Sequence, residues 1–263
     1  MAIKRRSFLK LTGLALLGTA AGAAVENLLT RGEIKAQEYT YPPEALIGKR
    51  WAMVIDVKKC RKARNTCGAK CIEVCHSIHN VPSIPDKKKE IKWIWEDSFE
   101  HAFPEQADEH LKEIFKDVPF LLLCNQCDNP PCVRVCPTRA TFKSKDGIVM
   151  MDFHRCIGCR FCMAACPFGA RSFNWFDPRP YISKVNPEYP TRMKGVVEKC
   201  MFCYERLAQG KIPACVEACP EKALIFGDLE DPNSEVNKIL KERVAIRRKA
   251  ELGTRPSVFY LID

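Results

Sequence analysis

The sequence predicts an α+β fold of two interlocked modules, with an insertion and a helix near the carboxyl terminus. The sixteen cysteines fall into four groups of four that repeat in pairs, which is typical of a duplicated module. Asp146-Gly147 is a hairpin turn signal between apolar residues. Residues 234–252 are charged and amphipathic, begin with a polar residue and precede Gly253, which predicts a surface helix.

The four cysteine groups differ in spacing, and one of them is highly specific. The third group has the pattern C-x2-C-x2-C-x3-C-P, completed by Pro167, which is the bacterial ferredoxin run that binds 4Fe-4S clusters. In chain order the groups are Cys60, Cys67, Cys71 and Cys75; Cys124, Cys127, Cys132 and Cys136; Cys156, Cys159, Cys162 and Cys166; and Cys200, Cys203, Cys215 and Cys219.

The spacing has a physical reason. Three cysteines separated by two residues let a tight loop present three thiolates to one corner of a cubane, with backbone N–H groups facing the sulfides. The fourth cysteine lies beyond reach and, in two-cluster ferredoxins, ligates the other cluster. Proline follows Cys136, Cys166 and Cys219 and turns the chain away. Cys75 is followed by His76 instead, so the first group departs from this pattern.

Other uses of the cysteines fit less well. Cysteines two residues apart in a triple cannot all pair locally as disulfides, although an exported chain permits disulfides. A structural zinc site needs two C-x2-C knuckles, which only the fourth group approaches. A c-type haem needs C-x-x-C-H, which is absent from the sequence. Iron–sulfur clusters are therefore favoured, and a zinc-binding structural protein is the alternative of another class.

The positive charge does not predict nucleic-acid binding. Residues 1–36 hold six basic and two acidic residues, and the rest of the chain carries +6 of the formal net charge of +10. An oxidised cubane with four thiolates has a net charge of about −2, so four of them contribute roughly −8. The loaded protein is therefore expected to be nearly neutral.

The amino terminus resembles a twin-arginine export signal. Residues 4–10 read KRRSFLK, with consecutive arginines at Arg5 and Arg6, and an uncharged stretch too short for a membrane span follows. Cleavage after Ala36, cleavage nearer Ala23 and an uncleaved anchor all remain open. We expect the mature protein to lie at the extracytoplasmic (periplasmic) face of the cytoplasmic membrane and to be peripheral to it.

The cysteine groups divide the chain into modules. We predict a signal peptide at 1–36, a first module at 50–81 and 196–263 that carries groups one and four, an insertion at 82–119, a second module at 120–172 that carries groups two and three, and a linker at 173–195.

Four segments carry a family resemblance: CNQCDNPPCVRVCPT at 124–138, CIGCRFCMAACPFGAR at 156–171, KCMFCYERLAQGKIPACVEACP at 199–220 and GTRPSVFYL at 253–261. They resemble the four-cluster, ferredoxin-like electron-transfer subunits of dimethyl sulfoxide, polysulfide, tetrathionate and nitrite reductases. With its stretched first group, CRKARNTCGAKCIEVCHSIHNVP, the chain most resembles the iron–sulfur O subunit of the Dsr membrane complex that accompanies dissimilatory sulfite reduction.

The resemblance implies four 4Fe-4S sites in two double-cubane modules, in which group one pairs with group four and group two with group three. The implied ligand sets are Cys60, Cys67, Cys71 and Cys219; Cys75, Cys200, Cys203 and Cys215; Cys124, Cys127, Cys132 and Cys166; and Cys136, Cys156, Cys159 and Cys162.

The implied function is electron transfer. Single electrons would pass between an integral membrane quinone-interacting subunit and an extracytoplasmic partner, either a multihaem cytochrome c or a molybdopterin subunit. His76 and His154, adjacent to ligands, are candidates to tune the clusters, against their more ordinary role in packing. A free enzyme is disfavoured, because no phosphate-binding glycine loop or nucleophile elbow is present.

Overall fold

The structure, a computed structural model, describes residues 41–263, and the predicted export signal at 1–36 lies outside this part. Short strands and helices alternate along the described chain, which fits the predicted α+β class. Within residues 41–263, no helix has the length and hydropathy needed to cross a membrane. In chain order the elements are β1 (Trp51–Asp56), α1 (Val57–Cys67), α2 (Lys70–Ile78), β2 (Ile94–Asp97), α3 (Phe99–Ala102), α4 (Glu109–Ile114), β3 (Phe120–Leu123), α5 (Pro131–Arg134), β4 (Thr141–Lys143), β5 (Val149–Met151), α6 (Phe161–Ala164), β6 (Ser172–Phe173), β7 (Val197–Glu198), α7 (Tyr204–Leu207), α8 (Ala214–Glu217), β8 (Leu224–Asp228), α9 (Glu235–Glu242), β9 (Ala245–Ile246) and β10 (Val258–Leu261), with 3-10 turns at Lys87–Lys89, Pro104–Gln106, Arg179–Tyr181 and Ala250–Leu252.

A four-stranded sheet joins the two ends of the described chain, in the order β8-β1-β10-β9. Its strand β1 is buried along its whole length, as expected for an apolar run covered on both faces. This strand runs parallel to β10, with Ile55 opposite Tyr260, and antiparallel to β8. Asp56 ends β1 and caps α1, because its carboxylate accepts a hydrogen bond from the Lys59 N–H. The sheet thereby fixes the helix that carries the first cysteines.

Three two-stranded pairs complete the strands of residues 41–263. The hairpin predicted at Asp146-Gly147 is confirmed as β4–β5, with Thr141 opposite Met151. Gly147 has a φ of +85°, which glycine adopts without a steric penalty. β2 pairs with β3, and β6 with β7. Each cysteine group begins one to five residues after the end of a strand, namely β1, β3, β5 and β7 in chain order. The strand pairs therefore fix where each group begins in the fold.

The predicted helix over 234–252 is correct at its start and wrong at its end. Ser234 caps α9, but the helix stops at Glu242 and Arg243 is extended. The Arg243 guanidinium is ion-paired with Asp56 at 2.6 Å and with Asp263 at 2.8 Å. Pairing of β9 with β10 follows, so tertiary contacts override the local charge pattern.

The segments predicted as an insertion and a linker both contribute buried side chains. In residues 82–119, Phe99 and Phe103 stack on each other and pack against Phe120 at 5.5 and 5.6 Å between ring centroids. Residues 173–195 are also anchored by buried side chains. Between its buried side chains, much of the segment at 173–195 is exposed.

Candidate metal centre

The first quartet lies on two helices and one distant loop. Cys60 and Cys67 are seven residues apart on α1, and seven residues are about two helical turns, so both face the same side. Gly68 ends α1 with a φ of +55°, and Cys71 follows on α2. Burial raises the pKa of the Cys60 thiol to about 11, and the nearby thiols of Cys219 and Cys67 contribute to the increase. The stretched spacing of the first group is therefore a helical spacing.

The second quartet is buried completely. Its members are Cys75, one helical turn beyond Cys71 on α2, with Cys200, Cys203 and Cys215. Burial raises the pKa of Cys75 well above its ordinary value, and the thiols of Cys200, Cys203 and Cys215 are the next contributors. Packing of α2 against α8 brings these cysteines together.

The third and fourth quartets each surround a cavity. One small cavity is lined by four cysteines, Cys124, Cys127, Cys132 and Cys166. A second small cavity is lined by Cys136, Cys156, Cys159 and Cys162. The last cysteine of each of these two groups therefore lies with the first three cysteines of the other.

The spacing of the last two cysteines is the same in all four groups. The third and fourth cysteines of each group are four residues apart, or about one helical turn, and they belong to neighbouring quartets. The third cysteine always lies on a helix: α2, α5, α6 or α8. The pairs are Cys71 and Cys75, Cys132 and Cys136, Cys162 and Cys166, and Cys215 and Cys219.

The quartets form a row. Cys215 of the second quartet has its pKa raised first by burial, then by thiols of its own quartet and then by Cys71 of the first. For Cys200, burial is followed by the Cys124 thiol of the third quartet. The pKa of Cys162 in the fourth quartet is raised by burial and by the Cys132 thiol of the third. The cysteines of the first and fourth quartets are mostly half-buried, whereas the inner ones are mostly buried.

The protein alone does not favour thiolates at these sites. None of the sixteen cysteines forms a disulfide. Burial raises the pKa of Cys71, Cys127 and Cys200 to about 12, so these thiols hold their protons at neutral pH. Cys136 is the exception, because burial is outweighed by hydrogen bonds from the Thr141 N–H and from Thr138, and its pKa falls. Metal binding must displace these protons, as at other thiolate sites.

The short loops between cysteines adopt left-handed conformations. The φ angles are +44° at Gln126, +63° at Arg160 and +52° at Phe202, each within a C-x2-C turn. Left-handed residues in such turns point successive N–H groups into one concavity, which binds anions and iron–sulfur clusters. Gly158 also has a positive φ, of +70°, and a Cβ there would collide with the carbonyl oxygen of Gly195.

A buried asparagine beside the third quartet indicates that its cavity suits a polar, charged group. The Asn125 side chain lines its cavity, is buried, and has no hydrogen-bond partner for either its amide nitrogen or its oxygen within residues 41–263. An unpartnered buried amide is costly unless a ligand satisfies it. Together with the thiols, this side chain fits an inorganic cluster with sulfide acceptors.

Two buried cations beside the cysteines were missed from sequence. The Arg171 guanidinium donates to the Cys132 Sγ at 3.0 Å and to the Thr141 hydroxyl at 2.8 Å. The Lys199 ammonium donates to the carbonyl oxygens of Cys200, at 2.8 Å, and Val149. The sequence shows that both residues lie next to cysteine motifs, but it does not show that their side chains are buried.

The predicted histidines contact no cysteine thiol among the described residues, and a third histidine does. His76 lies 3.2 Å from the Ile94 carbonyl oxygen, and burial lowers its pKa. His154 is exposed. His79 Nδ1 instead lies 3.6 Å from the Cys75 Sγ, and its Nε2 lies 2.8 Å from the Glu205 carboxylate. The ligand atoms of His79, Cys203 and Glu205 lie within 4.8 Å of one another, so Glu205 places a carboxylate beside the second quartet.

Comparison with known proteins finds one family domain, matched twice in this chain. The model of the 4Fe-4S dicluster domain matches residues 118–179 and 180–229.

Three relatives show how far the similarity extends. The chain is 43% identical to the Hdr-like menaquinol oxidoreductase iron-sulfur subunit 1 of Archaeoglobus fulgidus, over 98% of this chain and 97% of that protein. It is 39% identical to the menaquinone reductase iron-sulfur cluster-binding subunit of Nitratidesulfovibrio vulgaris, over 81% and 88%. It is 34% identical to a subunit of the tetrathionate reductase of Salmonella typhimurium, over 98% and 87%.

Proposed function

The chain belongs to the family of 4Fe-4S iron–sulfur subunits of menaquinol, polysulfide and dimethyl sulfoxide-type reductases, and we propose that it relays single electrons through four clusters held in a row. One observation carries the proposal: the cysteines form four successive quartets, and the two terminal quartets are the least buried. A row with accessible ends and a buried middle can accept an electron at one end and deliver it at the other.

Each quartet would hold one cluster, and the ligands are the sixteen cysteines already described. A 4Fe-4S cluster supplies one-electron chemistry at a potential set by its surroundings. The chain would provide the thiolates and keep water from the second and third sites, and the left-handed turns would direct backbone N–H groups toward a bound cluster.

We propose a membrane-linked setting for this relay. The electron partners would be an integral membrane quinone-interacting subunit and an extracytoplasmic multihaem cytochrome c, in a respiratory complex associated with sulfite reduction. The whole-length similarity to a menaquinol oxidoreductase subunit supports the quinone partner. The consecutive arginines Arg5 and Arg6 support export by the twin-arginine route to the extracytoplasmic face.

A molybdopterin oxidoreductase is the second candidate for the extracytoplasmic partner. Similarity to the tetrathionate reductase subunit, also over 98% of this chain, favours it. Both settings require the same row of clusters, so they differ only in what docks at one end.

The decisive measurement is an anaerobic count of iron and acid-labile sulfide on the purified full chain. About sixteen of each are expected for four cubanes, with magnetically coupled EPR signals after dithionite reduction. Zinc without sulfide would refute the proposal in favour of a structural zinc protein. Affinity purification of the tagged chain from its native membrane then distinguishes the partners, since covalently bound haem identifies a cytochrome and molybdenum identifies a molybdopterin subunit.

A further inference from the structure

Three buried cations in the described chain lack a carboxylate partner. The relative exposure of Arg171 is 4%, that of Lys199 is 0% and that of Arg248 is 3%. Within residues 41–263, no Asp or Glu forms an ion pair with any of them, whereas the buried Arg192 is paired with Glu198 at 2.7 Å. An uncompensated charge in the interior is strongly unfavourable, so these three require a negative group that the side chains do not supply.

All three cations face the third quartet, and each faces a different cysteine. The Arg171 guanidinium touches the Cys132 Sγ at 3.0 Å. The Lys199 ammonium donates to the carbonyl oxygen of Val149, which lines the cavity of the third quartet. Burial lowers the pKa of Lys199, and the Cys124 thiol is the largest influence that raises it against burial. Burial likewise lowers the pKa of Arg248, with Cys166 among the groups that oppose this.

Arg248 also borders this cavity through an aromatic ring. Its guanidinium lies 5.6 Å from the ring centroid of Phe168, which lines the cavity of the third quartet. One of its terminal nitrogens is buried and has no hydrogen-bond partner among the described residues. Arg248 therefore lies against the site, and the described residues do not supply all the hydrogen bonds that its guanidinium can donate.

The other quartets have no such concentration of buried cations. Beside the first quartet, Arg64 is neutralised by Glu96 at 2.5 Å, and both side chains are partly exposed. Beside the second quartet, the Glu205 carboxylate adds to the effect of burial and neighbouring thiols and raises the pKa values of Cys75, Cys200 and Cys203. Lys199 lowers the pKa of Cys200, and Arg206, which is ion-paired with Glu217, lowers that of Cys203. The fourth quartet shares Arg171 through Cys162, but its other neighbouring cation, Arg160, is exposed.

We infer that Arg171, Lys199 and Arg248 give the cluster of the third quartet the highest reduction potential in the row, so that a single electron on the chain resides there. The inference rests on the proposed function. Reduction adds one negative charge to an already anionic cluster, and fixed cations stabilise the reduced form more than the oxidised form. The second and third quartets are both buried, so desolvation opposes reduction at both. They differ in the balance of neighbouring charge, because the second shares Lys199 but also has the Glu205 carboxylate beside it, whereas three cations and no carboxylate partner face the third.

The test is a redox titration of the purified full-length loaded protein, followed by EPR. The signal of the third cluster is identified as the one altered in Cys127→Ala. We expect Arg171→Gln to lower the ratio of reduced to oxidised third cluster at least tenfold at a fixed potential, which is 59 mV for a one-electron couple. Arg171→Lys keeps the charge and is expected to restore most of the shift.

Further variants separate charge from damage to the fold. Lys199→Met is expected to move the same signal in the same direction, and Glu205→Gln is expected to raise the potential of a different cluster, the second. The control Lys87→Gln removes an exposed cation from the 3-10 turn at Lys87–Lys89 and is expected to leave the third cluster unchanged.

The redox titration distinguishes failure of the inference from failure of the proposed function. Four intact clusters whose third signal is not the highest in potential, or does not move in Arg171→Gln and Lys199→Met, overturn the inference and leave the proposed function standing. Wild-type protein without sulfide overturns the proposed function and the inference together.

Discussion

Glu198→Gln tests whether a buried ion pair holds the fourth cysteine group in place. The Glu198 carboxylate is fully buried and accepts hydrogen bonds from Arg192 at 2.7 Å, Trp93 Nε1 at 2.9 Å and Asn174 at 2.5 Å. These partners come from the predicted linker and insertion, and Glu198 itself lies two residues before Cys200. Glutamine preserves the shape but leaves the buried guanidinium without its counter-charge. Breaking a buried pair in this way costs about 3–5 kcal/mol.

The expected change is large enough to measure by thermal unfolding. In a domain of this size, each kcal/mol shifts the Tm by about 2–4 °C, so we expect a fall of roughly 6–20 °C. Anaerobic circular dichroism at one fixed scan rate would follow it, because the Tm of a protein that unfolds irreversibly depends on the scan rate. The matched control is Glu96→Gln, which breaks the partly exposed pair with Arg64 and is expected to cost at most about 1 kcal/mol. Equal shifts in the two variants would refute the reasoning.

Three further predictions concern the quartets. Cys71→Ala and Cys75→Ala, one helical turn apart on α2, are expected to remove the EPR signals of two different clusters; loss of the same signal in both contradicts the quartet geometry. Gly158→Ala is expected to lower the iron content, because its Cβ would meet a backbone carbonyl at a φ of +70°, while Gly169→Ala, at +64° in open space, is the control. Equal iron contents would sink the steric argument. The metal-free chain is expected to lose stability as the pH rises from 9 toward 12, since unfolded thiols ionise near 9.0 while burial keeps Cys127 protonated to about 12. Denaturant midpoints of chelator-treated protein that do not fall across this window contradict this prediction.

The sequence predicts those parts of the site that lie close together in the chain. Three cysteines of each quartet come from within one group, so spacing alone predicts them. The partner of each fourth cysteine depends on how distant segments pack, and the sets of four came from the family resemblance. The structure brings the cysteines together in those same sets; that they bind iron stays a prediction. The x6 spacing looked irregular as a loop, but it is regular on the helix α1.

The buried positive charges that face the third quartet could not be predicted from the sequence. Arg171 and Lys199 stand beside motifs as unremarkable basic residues, and Arg248 lies in a segment predicted to be a surface helix. Whether a lysine or arginine is buried is decided by the elements packed around it. The same tertiary effect ended α9 early, because pairing of β9 with β10 competes with continuation of the helix.

The row of quartets explains how such short elements form a stable fold. Many helices of the described chain have four residues, and three of its sheets have only two strands, which are marginal by themselves. A cluster bound by Cys60 and Cys219 would join segments far apart in the chain, so its binding energy would also be folding energy. The protonated, closely packed thiols of the metal-free protein cannot supply that energy, because each would repel its neighbours once ionised. Loading is therefore expected to stabilise the fold strongly, and if the clusters are inserted before export, the chain needs an export route that carries folded proteins. This is the physical argument for the twin-arginine route that we propose.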